Sequence, residues 1–304
     1  MTIVTTYNGP DLDGYGCVMA YKELLALQGV ESEARVWDEP LIEVTWLQEY
    51  FSLPRALGPI KNDDQEVILL DISSVQDIPG GFDPKQVVEV IDHRKVHDGE
   101  LFVNAKVQIE KVGAAATLVA EKFKHLGFEP SKEAALYLLG GIISNTQNFS
   151  SVVTTNRDRE MSEWLFELSG APSNLAEMQF KAKSDLSGVK LRDALIGDKK
   201  AFHFDSVTVL VAQLEIYFVD ELLEERMNEV RSIFSEMVVR DNADFAFINL
   251  KNLETGVSIM VCHDEKTQNL LNDLDGIFCE NLLCKSSTIT LRKQIAVLIK
   301  DKLS

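Results

Sequence analysis

Strand-like runs alternate with helical patterns at the start of the chain, and this alternation constrains the fold more than any other feature. The runs cover 2–7, 32–37, 66–73 and 87–92. Within the last two, residues 67–70 and 87–91 are apolar almost throughout, as strands buried on both faces should be. Strands that alternate with helices predict an α/β fold with a mostly parallel sheet covered by helices.

The pattern changes further along the chain. Helical patterns follow one another over 112–183, and the small polar stretch 183–188 is a candidate linker. Strand patterns beyond it lie at 201–215, 243–250 and 257–262. One long amphipathic helix is predicted at 218–239. A chain of 304 residues is long enough for two cores, and we predict domains at 1–184 and 189–304.

Composition argues against two classes of partner. The net charge is −18, from 48 acidic and 30 basic residues, which disfavours a sequence-independent grip on long nucleic acid and binding to anionic membranes. The chain has no run of 18 apolar residues that would predict a transmembrane helix. Its apolar start is predicted to be a core strand rather than a signal peptide. We therefore expect a cytoplasmic protein.

The four cysteines do not form a recognisable metal motif. Cys279 and Cys284 are five residues apart, which is not the spacing of a zinc knuckle, and no histidine pair follows them. We expect all four cysteines to be buried or reduced thiols, as is usual in a cytoplasmic protein.

Polar side chains follow three of the predicted strands. They are Asp11, Asp13, Asp71, Asp92 and His93. In open parallel sheets, ligands bind at the carboxyl ends of the strands, so these side chains are expected to converge although they are far apart in sequence. Taken singly, each acid could equally be a loop residue or a helix cap.

A histidine together with several aspartates suits a hard or borderline divalent cation such as Mn²⁺ or Mg²⁺. An aspartate between two such ions, about 3.5–4 Å apart, would bridge them, and the pair could activate water and clamp a phosphoryl group. This arrangement would also explain how Asp11 and Asp13 tolerate their close spacing, because each carboxylate would face a cation.

Four short segments resemble the motifs of the DHH phosphoesterases in order and spacing. They are PDLDG (10–14), LLDIS (69–73), VIDHR (90–94) and GGIISNT (140–146). The later chain is similar to the DHHA2 branch, which holds the manganese-dependent (family II) inorganic pyrophosphatases, exopolyphosphatases and prune-type proteins. The resemblance implies an N-terminal DHH domain and a smaller C-terminal α/β domain with a mixed sheet.

Two segments of the C-terminal half carry the DHHA2 resemblance. Asp198, Lys200 and Phe202 match a DxKxF-like segment, and 291–298 match a basic RKxQ-like segment. The glycine-rich GGGH-type motif of the nucleotide-handling DHH branch is absent from the sequence. The resemblance therefore favours small phosphoanhydrides over oligonucleotides as substrates.

The resemblance also implies a set of metal ligands. Asp11 and Asp71 would hold one metal, and Asp13, Asp71 and His93 would hold the other. Asn145 stands where the family has an aspartate ligand, and an amide oxygen can coordinate a cation but brings no charge. The implied cofactor is Mn²⁺ or Mg²⁺, with one or two ions.

The phosphate-binding residues follow from the same resemblance. Arg94 stands where pyrophosphatases have the second histidine of DHH, and it could grip a phosphate but could not act as a neutral imidazole acid. Lys200, Arg292 and Lys293 would bind phosphate from the second domain. Asp71, His93 and Arg94 are the expected catalytic residues.

Two further departures from the family pattern concern metal and phosphate binding. Tyr7 replaces a metal-binding histidine, and a neutral phenol is a poor ligand. Leu291 stands where an arginine would be expected. Together with Asn145, these changes weaken the expectation of high pyrophosphatase activity.

The acid cluster and the resemblance together imply hydrolysis of a small phosphoanhydride, pyrophosphate or short polyphosphate, by metal-activated water. Two alternatives remain. One is a weakly active or non-catalytic prune-like protein that binds a phosphorylated ligand, and the other is a phosphodiesterase acting on small nucleotides. The resemblance also implies a homodimer as one assembly.

Overall fold

The computed structural model describes residues 1–59, 65–94, 97–188, 190–204 and 206–303, except for the side chains of Lys293 and Leu303. The chain divides into two compact units, Met1–Ala182 and Lys183–Ser304. The division falls at the start of the small polar stretch that we predicted as a linker. Residue 189, the predicted start of the second domain, lies outside the described residues, and the roles assigned to the two domains stay predictions.

The first unit contains a five-stranded sheet in which every neighbouring pair is parallel. The strands are β1 Thr2–Thr5, β2 Ser32–Ala34, β3 Glu66–Leu70, β4 Val87–Asp92 and β5 Lys106–Ile109, in the order β2-β1-β3-β4-β5. The predicted mostly parallel sheet is therefore confirmed. Strand β5 was not predicted, because KVQI is short and half exposed and lacks the apolar run of its neighbours.

The described residues of this part of the chain form six α-helices. They are α1 Leu12–Leu27, α2 Ile42–Phe51, α3 Ala115–Leu126, α4 Lys132–Asn145, α5 Asn156–Ser169 and α6 Leu175–Lys183. Helices α1 and α4 approach closely because glycines face the contact. A Cβ atom on Gly16 would lie 2.6 Å from the carbonyl oxygen of Tyr137, and one on Gly141 would lie 3.0 Å from the Cα atom of Asp13. This contact places the end of α4 beside the start of α1.

The second unit contains a six-stranded mixed sheet. Its strands are β6 Lys199–Phe204, β7 Val207–Ile216, β8 Phe245–Asn252, β9 Val257–Cys262, β10 Ile277–Glu280 and β11 Leu283–Ser286, in the order β10-β11-β9-β8-β7-β6. Among the described strands of this sheet, only β7 and β8 pair in parallel. The predicted run at 201–215 forms the two antiparallel strands β6 and β7.

In the described part of this unit, four α-helices lie along the chain between and around these strands. They are α7 Lys190–Gly197, α8 Val219–Asp241, α9 Glu265–Asn272 and α10 Arg292–Leu303. The predicted amphipathic helix is α8, and its side chains Val219, Val230, Phe234 and Met237 are buried in the core of the unit. Among the described helices, none is long and apolar enough to cross a membrane.

The prediction of four reduced cysteines is wrong for one pair. Cys279 and Cys284 lie directly opposite each other on β10 and β11, with Cα atoms 4.0 Å apart, and form a disulfide. The turn between them has positive φ at Asn281 and Leu282, as a tight two-residue hairpin requires. The spacing of five residues between Cys279 and Cys284 was compared only with the spacing of zinc motifs, so the hairpin was not predicted. Cys17 and Cys262 are buried thiols.

Candidate metal centre

Three of the predicted ligands meet at the carboxyl edge of the first sheet. Candidate ligand atoms of Asp13, Asp71 and His93 all lie within 4.8 Å of one another. Asp71 follows β3, His93 follows β4, and Asp13 lies in the first turn of the helix that follows β1. Since β1, β3 and β4 are neighbours in the sheet, the parallel order of the strands brings these side chains together.

Asp71 occupies an uncommon backbone conformation at the end of β3. Its φ is +56°, which few residues other than glycine adopt, and its main-chain N–H donates to the carbonyl of Ile91 at 2.8 Å. The carboxylate is buried, and its Oδ1 has no hydrogen-bond partner among the described residues. Oδ1 lies 3.4 Å from Nε2 of His93. The backbone therefore holds an unsatisfied carboxylate oxygen toward the other ligands.

Asp13 is completely buried and is held by the beginning of α3. The main-chain N–H groups of Ala115 and Ala116 each donate to its carboxylate at 2.8 Å. The start of a helix carries unpaired N–H groups and a partial positive charge, which stabilises a carboxylate there. The alanine-rich start of α3 thus fixes the orientation of Asp13.

His93 is oriented by a backbone carbonyl. Its Nδ1 lies 3.0 Å from the oxygen of Val112, so Nδ1–H donates to this carbonyl and Nε2 is the ring nitrogen left for the cluster. Nε2 faces the carboxylates of Asp71 and Asp13, at 3.4 Å and 3.7 Å. Metal-binding histidines are commonly oriented in this way by a hydrogen bond from the second ring nitrogen.

The pKa values of the cluster are shifted because its carboxylates are buried close together. Burial, and then the neighbouring charge of Asp13, raises the pKa of the Asp71 carboxyl well above its usual range. Burial likewise raises the pKa of Asp13 to about 6, although the charge of His93 opposes this. Burial alone would lower the pKa of His93, but the neighbouring carboxylate of Asp71, 3.4 Å away, and the charge of Asp13 raise it to about 10. The unsatisfied oxygen, the fixed imidazole and this charge balance fit a divalent cation with oxygen and nitrogen ligands.

Asp11 lies outside the three-residue cluster. It is the N-cap of α1, and its Oδ1 accepts a hydrogen bond from the N–H of Gly14 at 3.0 Å. The helix-cap alternative for this residue is therefore realised, and its role as a metal ligand stays a prediction.

Asn145, the last residue of α4, reaches the cluster with its amide. Nδ2 lies 2.5 Å from Oδ2 of Asp13 and 3.3 Å from Nε2 of His93. In this orientation the amide donates to Asp13 instead of offering its oxygen to a cation. Rotation of the amide by 180° would turn the oxygen to the same place.

Arg94 and Tyr7 lie together beside Asp71. Nη2 of Arg94 donates to the carbonyl oxygen of Asp71 at 2.8 Å, and its guanidinium carbon lies 5.2 Å from the centre of the Tyr7 ring. The Tyr7 hydroxyl accepts a hydrogen bond from the N–H of Asp11 at 3.4 Å. Burial, with the charges of Asp71 and Asp11, raises the pKa of Tyr7, so the phenol stays neutral.

Asp92 supports the turn after β4. It is fully buried, accepts a hydrogen bond from the Ser73 hydroxyl, and accepts from the main-chain N–H groups of His93 at 2.7 Å and Arg94 at 3.3 Å. These contacts hold His93 and Arg94 in place.

Glu43 is a supporting residue that the sequence did not reveal. It is fully buried on α2, accepts from the Ser144 hydroxyl at 2.6 Å, and accepts from the N–H of Leu12 at 3.3 Å. It therefore joins the start of α1 to the end of α4, where Asp13 and Asn145 lie.

In the second unit, the two predicted family segments come together. Arg292 begins α10, and its Nη1 lies 2.5 Å from Oδ1 of Asp198 and 2.9 Å from the carbonyl oxygen of the same residue. Lys200 is exposed on β6, with its ammonium 5.4 Å from the centre of the Phe202 ring. The side chain of Lys293 lies outside what the structure describes.

The chain is an α/β protein with a parallel sheet in its first unit and a mixed sheet in its second. The buried Asp-Asp-His cluster at the carboxyl edge of the parallel sheet makes it a candidate metal-binding protein. Residues 177–301 match the family model of the DHHA2 domain. A protein of Shouchella clausii named "Probable manganese-dependent inorganic pyrophosphatase" is 30% identical over 268 residues, which is 87% of this chain and 86% of that protein.

A protein of the same name from Listeria welshimeri is 28% identical over 304 residues, covering 99% of this chain and 98% of the relative. The crystal structure of a Methanococcus jannaschii protein assigned to the family II inorganic pyrophosphatases has the same fold. Its TM-score is 0.60 at 21% identity, over 99% of each chain. The chain belongs to the family of the manganese-dependent inorganic pyrophosphatases, as the resemblance of its four motifs and of its later segments implied.

Proposed function

We propose that this chain is a metal-dependent phosphohydrolase that cleaves a small phosphoanhydride, pyrophosphate or short polyphosphate. The observation that supports this most is the buried cluster of Asp13, Asp71 and His93 with its unsatisfied carboxylate oxygen. The names of the relatives support the same substrate class. We also propose a cytoplasmic location and retain a homodimer as the assembly to test.

The proposed cofactor is Mn²⁺ or Mg²⁺, held by Asp13, Asp71 and His93, with Asp11 and Asn145 as further candidate ligands. When bound, such a cation lowers the pKa of water and stabilises negative charge on a phosphoryl group. The protein groups orient the site. Val112 fixes the tautomer of His93, and the start of α3 fixes Asp13.

The positive side chains have the role of binding phosphate. Arg94 keeps about a third of its side chain exposed beside Asp71, and a guanidinium can donate two parallel hydrogen bonds to phosphate oxygens. Lys200 presents an exposed ammonium, and Arg292 is held in place by Asp198. We propose that these groups and Lys293 bind the anionic substrate.

One observation favours a second candidate, a weakly active protein that binds a phosphorylated ligand. The amide nitrogen of Asn145 donates to Asp13 in the place where a charged ligand would help to hold the cation. Such a protein would bind metal and phosphate but turn over slowly.

Phosphate release distinguishes the two candidates. The native chain is assayed with Mn²⁺ and then Mg²⁺ on pyrophosphate, tripolyphosphate, long polyphosphate, an aryl phosphate ester and short nucleotides. An Asp71→Asn variant removes one ligand charge, and Asp38→Asn makes the same change at an exposed position outside the site. Activity that is lost only in Asp71→Asn supports the hydrolase and identifies its substrate class. Metal binding without phosphate release from any compound would favour the binding protein.

A further inference from the structure

The two carboxylate oxygens of Asp71 face different surroundings. Oδ1 lies toward the cluster, 3.4 Å from Nε2 of His93. Oδ2 lies on the side of Gly14: a Cβ atom on Gly14 would be 3.4 Å from this oxygen and 3.3 Å from ring carbon Cε1 of Tyr7. A carboxylate that bridged two cations would offer one oxygen to each of them. Here the second oxygen faces the neighbourhood of the Tyr7 ring.

This second side of Asp71 already carries a positive charge. The guanidinium of Arg94 lies over the Tyr7 ring at 5.2 Å from its centre and donates to the main-chain oxygen of Asp71 at 2.8 Å. Asp92 and Asp77 lie 3.8 Å and 3.6 Å from other nitrogens of the same guanidinium. Arg94 is therefore held in position by an aromatic face, a carbonyl and two carboxylates.

The ligands on this side are weak. Tyr7 offers a phenol whose oxygen accepts from the N–H of Asp11, and Asp11 uses Oδ1 to cap α1. Among the described residues, the three-ligand group that could hold an ion is the one formed by Asp13, Asp71 and His93. A fixed guanidinium repels a divalent cation, and the carboxylate of Asp11, which already caps α1, offsets little of that repulsion.

We infer that this site holds one divalent cation, between Asp13, Asp71 and His93, and that the guanidinium of Arg94, stacked on Tyr7, provides the second positive charge. This inference rests on the metal-dependent function proposed above. Arg94 would then bind a phosphate group of the substrate directly, through two guanidinium nitrogens, beside a single ion. Tyr7 is the positioning residue that holds the guanidinium over the second side of Asp71.

The first measurement is the number of ions on the native chain. Mn²⁺ is counted by elemental analysis after dialysis and by calorimetric titration, and electron paramagnetic resonance reports whether the ions are isolated or coupled. We expect one Mn²⁺ per chain and the resolved hyperfine spectrum of an isolated ion. Two ions per chain with a coupled spectrum would overturn this inference while leaving the metal-dependent function intact. No bound ion at all would instead overturn the proposed function.

The second measurement places histidines at the two positions that are expected to exclude a second ion. The Tyr7→His, Arg94→His double variant replaces the phenol and the fixed charge with two imidazoles, and we expect it to bind two Mn²⁺ per chain with a coupled spectrum. Its matched control is Tyr50→His, Arg55→His, which makes the same changes on exposed side chains, one near the end of α2 and one in the loop after it, and should keep one ion. Circular dichroism and thermal unfolding establish that each variant is folded.

If the double variant does not fold, an Arg94→Gln variant is tested instead. Glutamine keeps much of the shape of the arginine side chain but carries no charge. Removing the charge should allow a second, weaker Mn²⁺ to bind, visible as a second step in the titration. A folded double variant, or a folded Arg94→Gln variant, that still binds a single ion would overturn the role assigned to Arg94.

Discussion

At the scale of single residues, the site depends on a few side chains whose surroundings fix their charge. Asp71, Asp13 and His93 share a small buried space, and each has a pKa that is raised in the metal-free protein. A cation is the natural counterpart of such a group, because it compensates the buried negative charge. Changes to these side chains and to Asn145 should therefore act first on metal affinity.

Asn145→Asp is expected to tighten Mn²⁺ binding by roughly tenfold or more, which corresponds to about 1.4 kcal/mol. The new carboxylate would lie beside Asp13 and His93, where it adds a charged ligand that the amide lacks. Calorimetric titration of Mn²⁺ measures the change. Asn174→Asp, at an exposed position outside the site, should leave the affinity unchanged. An equal or weaker affinity for Asn145→Asp would contradict the placement of this residue in the metal site.

Binding of Mn²⁺ is expected to release protons and to strengthen as pH rises from 6 to 8. The raised pKa of His93, about 10, means that its imidazole carries a proton that the ion must displace. Raising the pH lowers the cost of that displacement. Titrations in buffers of different ionisation enthalpy give the number of protons released. An affinity independent of pH would show that His93 is already neutral before the ion binds.

At the scale of helices and strands, part of the site was predictable from the sequence. Asp71 and His93 follow apolar runs of strand length, so their meeting at one edge of a parallel sheet was predictable. The buried role of Glu43 was not, because an acid on an amphipathic helix is usually exposed and its partner Ser144 is 101 residues away. The disulfide between β10 and β11 was missed for a similar reason, since it depends on a turn conformation.

The contact between α1 and α4 gives a prediction at this scale. Gly141→Ala would place a Cβ atom 3.0 Å from the Cα atom of Asp13 and should destabilise the protein by about 1–3 kcal/mol. It should also weaken Mn²⁺ binding, because it pushes α4 away from the ligand on α1. Thermal unfolding and metal titration measure both effects.

Gly197→Ala is the matched control for that change. A Cβ atom on Gly197, at the end of α7, meets nothing within 4 Å, so alanine there should be neutral or stabilise by up to about 1 kcal/mol. If Gly141→Ala behaved like Gly197→Ala, the close approach of α1 and α4 would not be what positions the site.

At the scale of the whole molecule, proton binding and metal binding oppose each other. His93 and Asp13 have raised pKa values, about 10 and about 6, against ordinary values of 6.5 and 3.8, and the pKa of Asp71 is also raised. The metal-free folded chain therefore binds more protons than the unfolded chain over the range between these values. The stabilising contribution of His93 is complete below pH 6.5 and is lost as pH rises toward 10, while ionisation of the buried acids adds a cost.

The metal-free protein should consequently unfold at lower temperature as pH rises from 6 to 8, whereas saturating Mn²⁺ should stabilise it more at each step. The Mn²⁺ affinity increases as fewer protons compete for the ligands. The difference in Tm between the metal-bound and metal-free protein should therefore widen with pH. Thermal unfolding at pH 6, 7 and 8, with and without Mn²⁺, measures this difference. Asp71→Asn should reduce the widening, because it removes a negative charge from the ligands that hold the cation. A difference that narrows with pH in the native chain would mean that the cation binds away from the Asp13, Asp71 and His93 cluster.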